Sequence, residues 1–193
     1  ENQHIGSWAF AFMNELQHVT LEEGVTTIAA EIFSGNPKLQ HVTFPSTVTS
    51  IGESAFLGSG LTTVDFSSAR SLTDIGIKAF QGNKLKTITL PLSLQQIGDL
   101  AFAYNQLTSI VIPPSVTSMG GSAFMSNKLK TLELPNSLET IAAFAFAYNK
   151  LTAVVIPSGV TSIQSYAFEL NELTTLHLPA TLEIIESQAF ARN

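Results

Sequence analysis

The sequence predicts an α/β repeat fold, a right-handed solenoid with one parallel β-strand per repeat and short helical or 3₁₀ turns on the opposite side. The first observation is a phenylalanine that recurs nine times in the 193 residues, at spacings of 23, 23 and 24 and then 22 residues. The second is a leucine that opens eight full repeats with the same rhythm, after a leading half-repeat. The repeats fill the chain, so residues 1–193 are predicted to form a single solenoid domain. The phenylalanines are Phe10, Phe33, Phe56, Phe80, Phe102, Phe124, Phe146, Phe168 and Phe190, and the leucines are Leu16, Leu39, Leu61, Leu85, Leu107, Leu129, Leu151 and Leu173.

The first element of each repeat is predicted to be a strand. In the repeat that opens at Leu107, the inward residues Leu107, Ile110 and Ile112 stack on those of the next repeat, about 4.8 Å away in a parallel ladder. The proline that follows, Pro113, lacks an N–H and fixes φ, so the chain turns out of the ladder there. Repeat three carries Ser67 instead and is two residues longer, which predicts a local irregularity.

The second half of each repeat is predicted to form the opposite wall and a turn. An apolar pair such as Val116 and Met119 builds the wall, and an Ala-Phe step follows in a short helical turn with its phenylalanine inward as part of an aromatic spine. An asparagine three residues later is expected to bond to the backbone groups of the tight turn and to its counterparts in other repeats. The asparagines are Asn36, Asn83, Asn105, Asn127, Asn149, Asn171 and Asn193.

The complete unit reads L-x-x-I-x-I-P-x-x-V-x-x-I-x-x-x-A-F-x-x-N, which is the opening and the period of a leucine-rich repeat. The pattern is intact in FPSTVTSIGESAF at Phe44 to Phe56 and again at Ile112 to Asn127. It closely resembles the BspA-like class of leucine-rich repeats found in bacterial surface proteins, over essentially the whole chain. The resemblance implies an extracellular or cell-surface location, and binding of a host or neighbouring-cell surface protein.

The composition of the sequence argues against several classes of partner and of binding site. A net charge of −6 argues against nucleic acid, and no run of 18 apolar residues is present to insert into a membrane. The absence of cysteine excludes disulfides and thiolate zinc sites.

Both ends of the sequence fall inside a repeat and lack a polar cap. The chain is therefore expected to be a fragment of a larger protein or to cover its ends by self-association.

No catalytic arrangement is predicted, and no cofactor. The chain has four histidines but no Gly-x-Ser-x-Gly elbow and no glycine-rich phosphate loop between a strand and a helix. The carboxylates of Asp65 and Glu133 share one column of the solenoid, but three repeats separate them, too far for paired acid–base chemistry. The sequence therefore favours a non-enzymatic protein.

The solvent-facing strand positions form a predicted concave face, which is the usual ligand surface of such solenoids. It is rich in hydroxyls and weakly charged. A metal site of His18, His41 and Asp65 is the weak alternative there, and the prediction is that the chain holds no metal. The concave residues are His18, His41, Thr63, Asp65, Thr87, Thr89, Thr131, Glu133, Thr175 and His177.

The turn face carries apolar side chains that the repeat does not require. Residues two before and two after each phenylalanine are expected to point outward, four apart on one helical stripe. Several repeats place large residues there, which suggests a ridge that contacts another protein or a second copy of the chain. The alternative is that these side chains fold back over the gaps between turns. The candidate residues are Leu100, Tyr104, Met125, Phe144, Tyr148, Tyr166 and Leu170.

The sequence therefore predicts a non-enzymatic protein-binding or adhesion module. The competing prediction is a structural spacer or self-assembling scaffold with no specific ligand.

Overall fold

The apolar alternation of each repeat forms two columns of short parallel strands in a computed structural model that describes residues 6–193. The first column holds the strands that follow the opening leucines: β1 (His18–Val19), β3 (His41–Thr43), β5 (Thr63–Asp65), β8 (Ser109–Val111), β10 (Thr131–Glu133), β12 (Ala153–Val155) and β14 (Thr175–His177). The second column holds β2 (Thr27–Ile28), β4 (Ser50–Ile51), β6 (Asp74–Ile75), β7 (Gln96–Ile97), β9 (Ser118–Met119), β11 (Thr140–Ile141), β13 (Ser162–Ile163) and β15 (Ile184–Ile185). The fold is a parallel β-solenoid of eight turns, one for each strand of the second column.

The pairing register follows the repeat. In the first column His41 pairs with Thr63, and in the second column Ile51 pairs with Ile75. The prediction of one strand per repeat is therefore wrong, because the opposite wall also forms a ladder. Its strands are two residues long, too short for an alternating pattern to distinguish them from a turn.

The predicted helical turns are also wrong, since residues 6–193 contain no helix. The residues two before and two after each spine phenylalanine have a left-handed backbone, with φ of 58° at Leu100 and 56° at Tyr104 in one turn. A right-handed helix cannot contain such residues at every fourth position. The turn is instead a ladder between repeats: the N–H groups of Leu100, Phe102 and Tyr104 donate to Gly121, Ala123 and Met125 at 2.8 to 2.9 Å.

The predicted aromatic spine is confirmed. The nine phenylalanines stack from Phe10 to Phe190, with neighbouring ring centroids 5.2 to 5.7 Å apart. Those from Phe56 to Phe168 are fully buried. Leucines, isoleucines and valines of both strand columns surround the spine and complete one continuous core.

The asparagines are confirmed as partners of the turn backbone, although they bond to the backbone rather than to one another. The Asn127 side chain accepts from the Leu107 N–H at 3.0 Å and donates to the carbonyls of Phe102 and Phe124 at 2.9 and 3.2 Å. Each asparagine therefore joins its own repeat to the preceding one. In repeat two Ser59 takes this place and donates only to backbone carbonyls.

The predicted irregularity of repeat three is also confirmed. In place of the usual proline, the Ser67 N–H donates to the Asp65 carboxylate at 2.8 Å and closes a local turn. The strand that should follow at residues 87–89 in repeat four is not formed, so the first column divides after β5. The second column stays paired across this point, from β6 to β7. The first column divides again between β10 and β12, where both strands are present but do not pair.

Candidate functional site

The predicted ridge on the turn face, hereafter the turn ridge, consists of Leu100, Tyr104, Met125, Phe144, Tyr148, Tyr166 and Leu170. Its two most exposed side chains are Tyr104 and Tyr148, with 49% and 46% of their surfaces accessible. They occupy the same position two repeats apart. The other five residues of the turn ridge are half-buried.

One pair within the turn ridge shows where its side chains pack on each other. The rings of Phe144 and Tyr166, in adjacent repeats, stack with centroids 4.6 Å apart and planes inclined by 9°. Part of each ring is therefore covered by the neighbouring repeat, as the alternative prediction expected. What remains is a surface with two exposed tyrosines beside a preformed aromatic stack.

The backbone beneath the turn ridge favours small residues. Six of its seven members have positive φ, between 53° at Leu170 and 63° at Tyr166. A residue with a Cβ pays about 1–2 kcal/mol for this conformation, and glycine does not. The equivalent positions elsewhere hold Gly35, Gly58 and Gly82, also with positive φ, and no β-branched residue occupies any of these sites in residues 6–193. The large side chains are present against the preference of the turn.

Because of this left-handed backbone, glycine at position 148 should give a more stable protein than valine. Tyr148→Gly is expected to be more stable than Tyr148→Val by about 1–2 kcal/mol, because valine is crowded by its branched Cβ at positive φ. Urea unfolding of the two variants measures the difference. The matched control is Val155, an exposed residue of β12, where glycine should be less stable than the native valine. Equal stability of the two Tyr148 variants would contradict the left-handed assignment.

The exposed side of the first strand column, hereafter the first-strand face, corresponds to the predicted concave face. It contains every residue that was predicted to lie there. All ten are exposed to solvent: His18, His41, Thr63, Asp65, Thr87, Thr89, Thr131, Glu133, Thr175 and His177. The face therefore remains a candidate ligand surface, with hydroxyls, few charges and no deep relief over most of its length.

The alternative metal site on this face is not formed. His18 and His41 are paired in register, but the His41 Nδ1 lies 2.7 Å from the Thr63 hydroxyl. The N–H of Ser67 bonds to the Asp65 carboxylate and lowers its pKa, with further lowering from the Ser67 hydroxyl. Within residues 6–193 no three histidine or carboxylate side chains are arranged to hold a metal ion.

A cleft in the first-strand face was not predicted. It has a volume of about 740 Å³ and lies between β5 with its following loop, residues 63–70, and the unformed strand of repeat four, residues 87–93. Half-buried Val64 and Ile88 line it, and Arg70 is its only basic residue. The extra residues of repeat three and the missing proline at Ser67 were the sequence signals for this opening.

A family comparison supports the repeat assignment. The sequence matches the model of the BspA type leucine rich repeat region in 6 copies, over residues 1–107 and 73–193. No curated protein matches the chain. In the part of the chain that the structure describes, no helix is long and apolar enough to cross a bilayer.

Solved structures with the same fold come from several bacteria. A leucine-rich repeat protein from Bacteroides ovatus is 33% identical with a TM-score of 0.77, over 84% of this chain and 43% of its own. A leucine rich cell surface protein from Faecalibacterium prausnitzii is 27% identical with a TM-score of 0.60, over 97% of this chain and 61% of its own. The pneumococcal vaccine antigen PcpA shares the fold at 24% identity and a TM-score of 0.56, over 86% of this chain and 53% of its own. The chain thus spans less than two thirds of each of these proteins.

Proposed function

Because the chain belongs to the BspA-type leucine-rich-repeat family, we propose that it is a non-enzymatic protein-binding module of a secreted or cell-surface bacterial protein. The observation that carries the proposal is the set of large side chains at left-handed positions of the turn ridge. Every repeat has this left-handed backbone, and other repeats form the turn with glycine or serine, so the turn itself does not require large apolar side chains there. A role in binding accounts for them.

The composition of the turn ridge fits a protein interface. Tyrosine is enriched at the energetic centres of such interfaces, since it contributes a large rigid ring and one hydroxyl. Tyr104 and Tyr148 are exposed, and two further rings of the turn ridge, Phe144 and Tyr166, are already held by stacking on each other. A partner that covers these rings would bury apolar surface at a low cost in side-chain entropy.

Family and similarity support the location that we propose. The similar protein from Faecalibacterium prausnitzii is described as a leucine rich cell surface protein. The partner that we propose for this chain is a protein on a host or neighbouring cell. The net charge of −6 makes nucleic acid an unsuitable partner.

The second candidate function is a spacer or self-assembling scaffold. It is favoured by the half-buried state of five turn-ridge residues, which pack against the solenoid itself. A second copy of the chain could also cover the exposed tyrosines. Binding to an array of purified surface proteins, together with sedimentation of the free chain, separates these functions.

The double variant Phe144→Ser/Tyr148→Ser tests the turn ridge. Serine already occupies the same left-handed positions at Ser122 and Ser126, so the fold should be retained. We expect saturable binding to one array protein, weakened about tenfold or more by the double variant, because hot-spot aromatics contribute about 2 kcal/mol or more. Thr131→Ala/Thr175→Ala on the first-strand face is the matched control and should change affinity by less than about twofold. No saturable partner for the wild-type chain, or equal binding by the double variant, would refute the turn ridge as the interface.

A further inference from the structure

The backbone of repeat four is unpaired where the first strand column is interrupted. No hydrogen bond joins the N–H or C=O groups of Thr87, Ile88, Thr89 or Leu90 to any other group in residues 6–193. In the next repeats, by contrast, all three residues of β8 pair with β10. Leu90 is only 5% exposed and Ile88 is half-buried, so these polar groups lie at a partly enclosed site. Buried backbone groups without partners are rare in folded proteins.

The opposite wall of the cleft is also an open strand edge. In β5 the Thr63 N–H donates to the Gln40 carbonyl, and the Asp65 carbonyl accepts from the Phe44 N–H, so both residues face repeat two. Backbone groups of alternate residues point to opposite sides of a strand in a parallel ladder. The N–H and C=O of Val64 therefore point toward the cleft, where they meet no backbone partner.

Paired structure bounds the cleft behind it and at its near end. Behind the cleft, β6 and β7 pair through Ile75 and Ile97. At its near end the Lys84 N–H donates to the Leu61 carbonyl at 2.8 Å. The opening is thus a wedge on the first-strand face, and a ligand would enter it without breaking the ladder bonds behind it.

We propose that this cleft binds an extended peptide segment of a partner protein, which adds to the edge of β5 by main-chain hydrogen bonds. Binding of this type takes affinity from the peptide backbone and specificity from pockets for alternate side chains. Val64 and Ile88 offer an apolar floor, and Leu92, 79% exposed, forms an apolar lip.

The positive charge of Arg70 at one end of the cleft favours peptides that carry an acidic residue there. Arg70 is exposed and takes part in no ion pair within residues 6–193, whereas the carboxylate of Asp65 already accepts the Ser67 N–H. Arg70 follows β5 in the chain, so it lies beyond the carboxyl end of that strand. A peptide that runs parallel to β5, with apolar residues followed by an acidic residue, complements both features.

The probe is a blocked synthetic peptide, TSIVIDD, which copies residues 108–112 of this chain and adds two aspartates. Amide hydrogen exchange of the intact chain is measured with and without it. We expect fast exchange of the amides of residues 64 and 87–90 in the free protein, and slowing of about tenfold or more at saturation. The same peptide with alternate nitrogens methylated cannot complete the ladder and should give no slowing. Protection of these amides in the free protein, no binding of TSIVIDD, or equal binding of the methylated peptide would each overturn the proposal.

A substitution separates this site from the turn ridge. Arg70→Gln should weaken TSIVIDD binding about two- to fivefold, the usual effect of one exposed ion pair, and Arg192→Gln on another surface should not. Phe144→Ser/Tyr148→Ser should leave peptide binding unchanged, so failure of either site is recognised independently of the other. Equal affinity of the Arg70 and Arg192 variants would contradict the charge assignment.

Discussion

Phe124→Ala is expected to lower the free energy of unfolding by about 3–5 kcal/mol. Phe124 is fully buried, and its ring stacks between Phe102 and Phe146 at 5.3 and 5.7 Å. Truncation would leave a cavity in the middle of the spine. The cavity cannot collapse, because hydrogen bonds between repeats fix the turns above and below it.

Urea unfolding followed by circular dichroism measures this loss, and Phe12→Ala is its control. Phe12 belongs to the turn face rather than the spine and is 62% exposed, so its truncation should change the free energy by less than about 1 kcal/mol. A similar loss in the two variants would contradict the spine as the main source of stability.

Asn127→Ala is expected to lower the free energy of unfolding by about 2–5 kcal/mol. The substitution leaves the Leu107 N–H without its partner. It also removes one of the two amide donors to each of the Phe102 and Phe124 carbonyls, which keep only Asn105 and Asn149. These bonds are buried, so water cannot replace the amide without opening the turn. A buried N–H left without a partner costs about 1–3 kcal/mol, and each further hydrogen bond that is lost contributes about 0.5–1.5 kcal/mol.

Asn127→Ser and Asn14→Ala are the controls for this prediction. Serine replaces asparagine naturally at Ser59, where it still donates to the Phe33 carbonyl, so Asn127→Ser should lie between wild type and Asn127→Ala. Asn14 is exposed, and its truncation should have little effect. Denaturant midpoints of the three variants measure the order. A loss below about 1 kcal/mol for Asn127→Ala would contradict the asparagine ladder.

The spine and the asparagine ladder could be predicted from the sequence because each depends on one residue type at one spacing. A buried phenylalanine such as Phe124, repeated in register, can only stack on its counterparts. An asparagine three residues later, such as Asn127, is a suitable partner for a turn that leaves N–H and C=O groups unpaired. The phenylalanine recurs in every repeat and the asparagine in every full repeat except repeat two, so repetition reveals them.

The turn conformation was harder to predict because its largest residues hide the backbone preference. Tyr104 and Tyr148 suggested an outward stripe on a helix, whereas Gly35, Gly58 and Gly82 at the same position are typical of a left-handed backbone. The glycines were the better indicator. Comparison of all repeats at that one position would have predicted tight turns.

The cleft depends on a single repeat, so repetition could not reveal it. The missing proline at Ser67 and the longer repeat three predicted an irregularity, but not which strand would lose its partner. β5 has no strand partner in repeat four, and pairing between repeats is a tertiary contact that the pattern within one repeat does not specify. The sequence pattern of repeat four is itself regular.

The turn ridge carries large side chains where other repeats have glycine or serine, and binding is the role that we propose for them. Affinity and unfolding of Phe144→Ser/Tyr148→Ser, measured side by side against wild type, test it most directly. If the turn ridge is the interface, affinity for the array-selected partner falls about tenfold or more while the free energy of unfolding stays within about 1 kcal/mol of wild type. Unchanged affinity, or a loss of affinity that only follows a collapse of stability, would contradict it.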